Sequence, residues 1–343
     1  MSRYRPSRPW PRALALAPIA GLALALAACS SGGASSSGSS PAANSGGSGS
    51  KHFTIAYVPG ATGVSFYDTL VAGMRTEAKK LGMTVLYQGS PDFAPSAQTP
   101  VVDAMCSRHP SALVVSPTDP KAMAPAIDTC LNAGIPVITV DTALANPAKL
   151  TSQISTDNIQ GGKVAAAYIG QQLHGKGQIA VLSLSPTATT QVDRVQGLEN
   201  ALKASYPGIK VVTLQYTAQP VTSSQTVVRS ILAAHPGIKA IFGAAEPNAE
   251  GAAAALAADG LTGKVLVVGF DASPTEVALL KKGQVSALVA QQAGTEGADA
   301  AQFAYDKLTG KSSAIQASVQ LPDVLLTKSN VSEPTFAKYA YIP

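Results

Sequence analysis

From Phe53 onward, short apolar runs rich in β-branched residues alternate with longer segments whose apolar residues recur every three or four positions. The run 53–58 predicts a strand, and the segment 65–81 predicts an amphipathic helix with Phe66, Leu70 and Met74 on one side. Short runs separated by helices in this way are typical of a parallel sheet with helices on its faces. Further strands are predicted at 83–87, 112–116 and 137–141, with helices at 98–108 and 121–133.

The same alternation restarts after about residue 158 and continues for more than a hundred residues. We therefore predict an α/β fold with two doubly wound parallel-sheet lobes. The predicted helices of the second half are 162–173, 192–205, 221–234, 248–259 and 274–282, and the predicted strands are 178–183, 210–216, 240–243 and 265–270.

The first 28 residues have the pattern of an export signal. Four arginines precede an apolar run of Ala and Leu that ends in small residues, and the run is short for a membrane span. The sequence Leu26-Ala27-Ala28-Cys29 resembles a bacterial lipobox, in which the cysteine is lipidated and becomes the first mature residue. We predict a lipoprotein signal peptide at 1–28 and lipidation of Cys29; the alternative is an ordinary signal peptide with an incidental cysteine.

Residues 29–51 are mainly Ser, Gly and Ala, a composition that cannot bury enough apolar surface to fold and that predicts a flexible tether. The formal charge of +5 comes mostly from the signal: removing its four arginines leaves 21 basic and 20 acidic residues. Together with a charged fraction of only 13%, this balance gives no reason to expect a nucleic-acid partner. The predicted location is outside the cytoplasm, with the lipid holding the protein on the cell membrane.

Two cysteines remain, Cys106 and Cys130, each late in one of two successive predicted helices. In an oxidising compartment they either bond to each other or stay as two buried thiols, and the sequence leaves both readings open.

Polar residues lie where the predicted strands end, which is the edge at which open α/β sheets bind ligands. Carboxylates there can accept hydrogen bonds from hydroxyl groups, whereas an arginine and a glutamine can donate them. Asp141 and Asp271 could instead cap the elements that follow, and Arg194 could be a solvated helix residue. Ser273 and Glu276 already form a capping-box pattern, which leaves Asp271 free. The strand-end residues are Asp92, Asp119, Asp141, Asp157, Glu246, Asp271 and Gln291, with Arg194 near the start of a helix.

A series of motifs runs in order through residues 53–328. They are FTIAYV at 53–58, SFY at 65–67, SPTDP at 116–120, GIPVITVD at 134–141, Asp157-Asn158 with Gly161-Gly162, Arg194 with Gly197, and VGFD at 268–271. This series resembles ribose-type periplasmic sugar-binding proteins. The resemblance implies a type I periplasmic binding protein fold, in which two lobes joined by a three-strand hinge close on a ligand. It also implies a solute receptor of an ABC importer, with the permease subunits as partners.

The resemblance extends to individual ligand-binding residues. An aromatic pair that stacks on the sugar matches Phe66 and Tyr67, and the Asp that ends the ITVD motif matches Asp141. The family's Arg before a Gly matches Arg194, its Asp after VGF matches Asp271, and its Gln at a crossover between the lobes matches Gln291. Asp92 and Glu246, from the strand ends, complete the candidate set.

Three positions depart from the ribose pattern. The Asn that usually precedes the aromatic pair is Val64, the Arg that usually follows the ITVD Asp is Thr142, and the Asn expected after the IFG strand falls near Ala245. Losing these polar side chains argues against ribose itself. A small sugar, a polyol or another small polar metabolite stays open.

The crossovers between the lobes are expected near Thr156, Gln292 and Pro322. We therefore predict an N-terminal lobe of residues 52–155 plus 292–321 and a C-terminal lobe of residues 156–291 plus 322–343. The protein is expected to be a monomer.

Other classes of protein fit less well. The four histidines are scattered, no Cys/His spacing typical of a metal site occurs, and Gly310-Lys311-Ser312 lacks the leading glycine of a P-loop, whose place is taken by Tyr305. We therefore predict no enzymatic activity, no cofactor and no metal. A receptor that presents its closed form to a membrane signalling protein uses the same cleft and is left open beside transport.

Overall fold

The computed structural model describes residues 52–342, which form two six-stranded sheets with helices on both faces of each. The predicted signal peptide, Cys29 and the tether lie outside these residues. The predicted architecture of two doubly wound lobes is confirmed.

The first sheet is parallel throughout, with the strand order β11-β5-β4-β3-β1-β2. Because β1 lies between β3 and β2 and is covered on both faces, its residues alternate between two cores: Ile55 and Tyr57 face one layer of helices, whereas Ala56 and Val58 face the other. The strands are β1 (Thr54–Val58), β2 (Thr84–Tyr87), β3 (Ala112–Val115), β4 (Val137–Val140), β5 (Ser152–Thr156) and β11 (Ser318–Leu321).

The second sheet has the order β12-β10-β9-β8-β6-β7, in which only the edge strand β12 is antiparallel to its neighbour. Its strands are β6 (Lys176–Ser183), β7 (Gly208–Tyr216), β8 (Ile238–Gly243), β9 (Leu266–Phe270), β10 (Ala287–Ala290) and β12 (Val324–Thr327).

The helices alternate with the strands, as the sequence predicts. Several begin a few residues before their predicted starts; one begins at Asn158, where the side chain of Asp157 accepts a hydrogen bond from the backbone N–H of Gln160 and so caps the helix. The helices are α1 (Ser65–Lys80), α2 (Pro95–Cys106), α3 (Ala124–Asn132), α4 (Asn158–Gln172), α5 (Thr189–Ser205), α6 (Val221–Ala234), α7 (Glu246–Ala258), α8 (Pro274–Lys282), α9 (Ala293–Leu308) and the short α10 (Pro334–Ala337).

Over residues 52–342, the chain passes between the two sheets three times. It leaves the first sheet after β5 and builds the second from β6 to β10. It then returns through α9, which packs on α1, to β11 of the first sheet, and crosses again to β12. Three short connections, at 157, 291–292 and 322–323, therefore link the two halves.

Close helix contacts in the first lobe depend on glycine. A Cβ atom added at Gly297 of α9 would overlap the carbonyl oxygen of Leu70 on α1, and one added at Gly73 would overlap the carbonyl oxygen of Gly294. The backbones of α1 and α9 thus approach more closely than a side chain at either glycine would allow.

Cys106 at the end of α2 and Cys130 in α3 are joined by a disulfide bond. The bond ties together the two helices that cover one face of the first sheet, and both cysteines are buried in that core. Within residues 52–342, no helix is both long enough and apolar enough to cross a membrane.

Candidate ligand-binding site

A cleft between the two lobes lies at the carboxyl ends of their parallel strands. Its empty volume is about 490 Å³, including space open to solvent. Its lining residues are Val64, Phe66, Tyr67, Phe93, Asp141, Leu184, Thr190, Gln191, Arg194, Gln219, Ala245, Glu246, Pro247, Asp271 and Gln291.

Most of the residues predicted to bind a ligand come together here. The first lobe contributes the aromatic pair at the start of α1 and an aspartate directly after β4, and the rest come from the second lobe or from the crossover after β10. The seven residues brought together are Phe66, Tyr67, Asp141, Arg194, Glu246, Asp271 and Gln291.

Asp92 is the exception, because its side chain is exposed and does not line the cleft. The loop after β2 makes a tight turn in which the backbone N–H of Asp92 donates to the Ser90 hydroxyl. The turn leaves Asp92 in solvent, whereas its neighbour Phe93 lines the cleft. Of these two neighbours, the structure thus places Phe93 and not Asp92 at the cleft, because the strand-end rule does not resolve the direction of side chains in a loop.

In the first lobe, Asp141 is held by its neighbours. The Tyr67 hydroxyl donates to Asp141 Oδ2 at 2.8 Å, and the backbone N–H of Asp141 donates to Glu296 Oε2 at 3.1 Å. The other oxygen of Glu296 accepts from the Thr156 hydroxyl at 2.9 Å. Glu296, in α9, thus links the residue after β4 to the end of β5, beside one of the crossovers.

The Asp141 carboxyl has a pKa raised to about 6. Burial is the main cause, and the charge of Asp271 adds to it; the nearby Arg194 guanidinium and the hydrogen bond from Tyr67 act in the opposite direction. Burial also raises the pKa of Glu296 well above its usual value, and the charge of Asp141 adds to that rise.

In the second lobe, Asp271 occupies the matching place directly after β9. Its Oδ1 accepts from Gln291 Nε2 at 2.6 Å and from the Tyr341 hydroxyl at 3.0 Å, while Oδ2 accepts from the backbone N–H of Glu246 at 3.1 Å. The helix that follows Asp271 is capped by the box formed by Ser273 and Glu276. Asp271 therefore does not cap the helix that follows it, although its carboxylate accepts a hydrogen bond from the first backbone N–H of α7.

Both aspartates have a left-handed backbone, with φ of 65° at Asp141 and 92° at Asp271. Only a few per cent of residues other than glycine adopt positive φ, and Asp is among the types that tolerate it best. This conformation turns the chain sharply at the end of each strand and brings the carboxylate to the cleft.

Arg194, in α5, is 2% exposed and lines the cleft from the second lobe. Its Nε donates to Asn158 Oδ1 at 2.7 Å and its Nη1 donates to the Ala244 carbonyl at 2.9 Å. The guanidinium carbon lies 3.7 Å from the centre of the Phe270 ring, within the range of a cation–π contact. Among the described residues that line the cleft, Arg194 is the only positively charged one.

Two buried acceptors in the cleft have no hydrogen-bond partner among the described residues: Glu246 Oε2 and Gln291 Oε1. Burial, followed by the charge of Asp271, raises the pKa of Glu246 to about 8. An unpaired buried acceptor is unfavourable, so both atoms suit a ligand that brings hydrogen-bond donors.

Sequence reasoning missed several lining residues. Thr190 and Gln191 come from the first turn of α5, and Gln191 lies three positions before Arg194 on the same side of that helix. That spacing was a usable signal for Gln191. Gln219 and Phe93 lie in loops, where the sequence carries no comparable signal. Across residues 52–342, no group of three or more His, Cys, Asp or Glu side chains is placed to hold a metal ion.

Two α/β lobes that face each other across a cleft with polar and aromatic walls define a two-lobe binding protein for small solutes. The model of the family described as periplasmic binding protein domain matches residues 55–312. The ribose import binding protein of Bacillus subtilis is 33% identical over 279 residues, which cover 81% of this chain and 88% of that protein. The chain therefore belongs to the periplasmic binding protein family, among its ribose-type sugar-binding members.

Solved structures agree with this assignment. An ABC transporter solute-binding protein from Agrobacterium vitis, bound with α-D-tagatopyranose, has a TM-score of 0.82 and 31% identity, covering 85% of this chain and 100% of that chain. A carbohydrate transporter solute-binding protein from Agrobacterium radiobacter, in complex with D-arabinose, has a TM-score of 0.80 and 27% identity, covering 84% and 99%. These relatives are named as transporter binding proteins and not as enzymes, which confirms the prediction of a receptor without enzymatic activity. Membership in this family also implies an extracytoplasmic location.

Proposed function

We propose that the protein is a lipid-anchored receptor that captures a small neutral sugar or polyol in the cleft and delivers it to an ABC importer. The observation that carries this proposal is the composition of the cleft walls. Carboxylates face it from both lobes, one guanidinium lies among them, and aromatic rings border them. Sugars present many hydroxyl groups and an apolar ring face, which such walls complement.

The polar groups of the cleft include both hydrogen-bond acceptors and hydrogen-bond donors. Glu246 Oε2 and Gln291 Oε1 are acceptors without a partner and are suited to hydroxyl donors on the ligand. Arg194 supplies donors from its remaining N–H groups, since two of its nitrogens are already bonded to protein acceptors. Asp141 and Asp271 face the same cleft, and Glu246, with a pKa of about 8, adds a carboxyl group that is mostly neutral at pH 7. Two further carboxyl groups against one guanidinium argue against an anionic ligand.

Aromatic side chains would cover the apolar face of the sugar. Phe66 and Tyr67 pack edge to face with ring centres 5.2 Å apart, so that one fixes the orientation of the other, and Phe93 joins them in the lining. The apolar residues Val64 and Ala245 line the cleft where ribose-type relatives are expected to have asparagine, and this supports a ligand other than ribose.

Closure of the lobes would couple binding to delivery. A ligand held by residues of both lobes makes its full set of contacts only when the cleft is shut, so it shifts the population toward the closed form. The three connections between the sheets supply a hinge for this motion. In this proposal the closed receptor docks on the permease subunits of the importer and acts as a monomer.

The first experiment is a thermal-shift panel on the purified protein. D-ribose, D-allose, D-arabinose, D-tagatose and myo-inositol are tested, with D-ribose 5-phosphate as the anionic counterpart of the first. A ligand at 100 times its dissociation constant adds about 2.7 kcal/mol of stability, so a binder raises the melting temperature measurably. Calorimetry then gives the affinity of each hit. No shift with any neutral sugar or polyol would contradict the proposal, as would a larger shift with the phosphate.

The anchor and the transport step need separate tests. Replacing Cys29 with serine should release the protein from the membrane fraction and abolish labelling by a radioactive fatty acid. Deleting the gene should stop uptake of the radiolabelled sugar found in the panel. Loss of only a transcriptional or chemotactic response, with uptake unchanged, would instead indicate a sensor.

A further inference from the structure

The C-terminal segment 331–342, which follows β12, lies beyond the family match that ends at residue 312. It contains the short helix α10, and its last residues lie against Asp271 and Phe66, which line the cleft. Tyr341 in this segment is only 5% exposed.

The segment is attached to the second lobe by hydrogen bonds at both of its ends. The backbone N–H of Val331 donates to the carbonyl of Thr327 in β12, and the backbone N–H of Tyr341 donates to the carbonyl of Ala272 at 2.9 Å. The Tyr341 hydroxyl donates to Asp271 Oδ1 at 3.0 Å. Tyr341 therefore contacts both the ligand-facing carboxylate and the backbone of the residue that follows it.

The same end of the segment also reaches the first lobe. The backbone N–H of Ile342 donates to the Thr69 hydroxyl of α1 at 2.9 Å. The Tyr341 ring packs edge to face on Phe66, with ring centres 5.8 Å apart and planes at 69°. Phe66 is one of the aromatic residues of the cleft. Tyr341 and Ile342 therefore join α1 of one lobe to the end of β9 in the other.

We infer that segment 331–342 is a clasp between the lobes and that Tyr341 is a positioning residue for ligand binding, acting through Asp271 and Phe66. The contacts to α1 exist only when the lobes are close together, whereas those to Ala272 stay within one lobe. The clasp thus favours the closed arrangement before a ligand contributes. The Tyr341 hydroxyl and the Gln291 amide both donate to the same oxygen of Asp271, which fixes the orientation of this cleft carboxylate.

The first test needs no ligand and is independent of the proposed function. Nitroxide labels on cysteines introduced at Lys80 of α1 and Lys281 of α8, both exposed, report the distance between the lobes by pulsed electron spin resonance. Ending the chain after Ala340 should shift this distance distribution to longer values, and Thr69→Val should shift it in the same direction by a smaller amount. Distributions that coincide with that of the unaltered chain in both variants would overturn the clasp.

The second test rests on the proposed function and uses the sugar with the largest thermal shift in the panel as the probe. Tyr341→Phe keeps the ring on Phe66 but removes the hydroxyl from Asp271, so calorimetry should show affinity weakened about 5- to 30-fold. Truncation after Ala340 should weaken it at least tenfold, with faster dissociation. Tyr339→Phe is the matched control, since no described residue bonds to its hydroxyl, and it should change nothing.

The two tests separate the possible failures. Affinities within twofold of the unaltered protein for Tyr341→Phe and for the truncation would overturn the positioning role. If no sugar binds the unaltered protein, the proposed function fails, and the distance measurement alone decides the clasp. Circular dichroism melts identify any variant that is unfolded. If the truncated chain is unfolded, Thr69→Val, which lies outside segment 331–342, decides whether the clasp exists.

Discussion

Replacing Arg194 with lysine tests the centre of the cleft, because it keeps the positive charge but removes the planar guanidinium. In the structure that group donates from Nε to Asn158 and from Nη1 to the Ala244 carbonyl, and it stacks on the Phe270 ring at 3.7 Å. A lysine ammonium is a point donor on a flexible chain and cannot reproduce this geometry.

The magnitude follows from these contacts. A lysine can reach at most one of the two protein acceptors, and leaving the other buried and unpaired costs about 1–3 kcal/mol. Losing the desolvated cation–π contact costs about 1–2 kcal/mol more. We therefore expect Arg194→Lys to lower the free energy of unfolding by about 2–5 kcal/mol. Hydrogen bonds from a charged donor to the ligand contribute about 1.5–3 kcal/mol, so the dissociation constant should rise roughly 10- to 150-fold.

Calorimetry with the sugar identified in the panel measures the affinity, and urea unfolding monitored by circular dichroism measures stability. Arg229→Lys is the control, because Arg229 is largely exposed and makes only a surface contact of 3.8 Å with Asp259. It should leave both quantities unchanged. An affinity of Arg194→Lys within threefold of the unaltered protein would refute the ligand-binding role of Arg194. Equal unfolding free energies would refute the importance of its buried hydrogen bonds.

Three further predictions concern stability. Replacing both Cys106 and Cys130 with serine removes a disulfide bond between residues 24 positions apart. From the loss of chain entropy in the unfolded state, the free energy of unfolding should fall by about 3 kcal/mol and the melting temperature by about 5 °C. An unchanged melting temperature after this replacement, or after reduction of the unaltered protein, would argue against the bond. Burial is the main reason that the pKa of Glu246 is raised to about 8. The folded protein therefore keeps this proton where the unfolded chain has lost it, and the resulting stability, full below about pH 4, is lost as the pH rises toward 8. Glu246→Gln should make urea-unfolding free energies fall less steeply between pH 5 and 8, and curves parallel to those of the unaltered protein would contradict this. Gly297→Ala should destabilise the first lobe by about 3 kcal/mol or more in thermal melts, because the new methyl group overlaps a carbonyl oxygen of α1. Gly294→Ala is the control on the same helix: its Cβ would have open space around it, so this variant should be neutral or slightly stabilising.

The sequence predicted α1 to α8 and eight of the strands because their apolar residues follow the helix or strand period over most of their length. It did not name β5, β10, β11, β12, α9 or α10. In β5, Ser152, Ile154 and Thr156 occupy the buried positions, so only one apolar residue marks the inner face. In α9 the buried face is built largely from alanine and glycine, which give little contrast with the polar face. Both lie where the chain passes between the sheets, so their burial depends on packing that is set by distant parts of the chain.

The candidate site was predictable where a strand end fixed the position of a side chain, as at Asp141 and Asp271. It was not predictable where tertiary contacts decide. Glu296 reads in the sequence as an ordinary helix residue, yet it is fully buried and accepts the backbone N–H of Asp141 from 155 positions away. Tyr341 likewise reaches Asp271 across 70 positions of sequence. The local sequence around Glu296 or Tyr341 does not predict such a distant hydrogen-bond partner.

The left-handed backbone at Asp141 and Asp271 limits how this receptor can be redesigned for another ligand. A mutant library that varied these two positions freely would consist mostly of strained chains, since apart from glycine mainly aspartate, asparagine and histidine adopt a positive φ. Diversity is better placed at Val64, Phe93 and Gln219, which line the same cleft and do not have this backbone. The two aspartates would then serve as fixed points while the surrounding wall is varied to fit a new sugar.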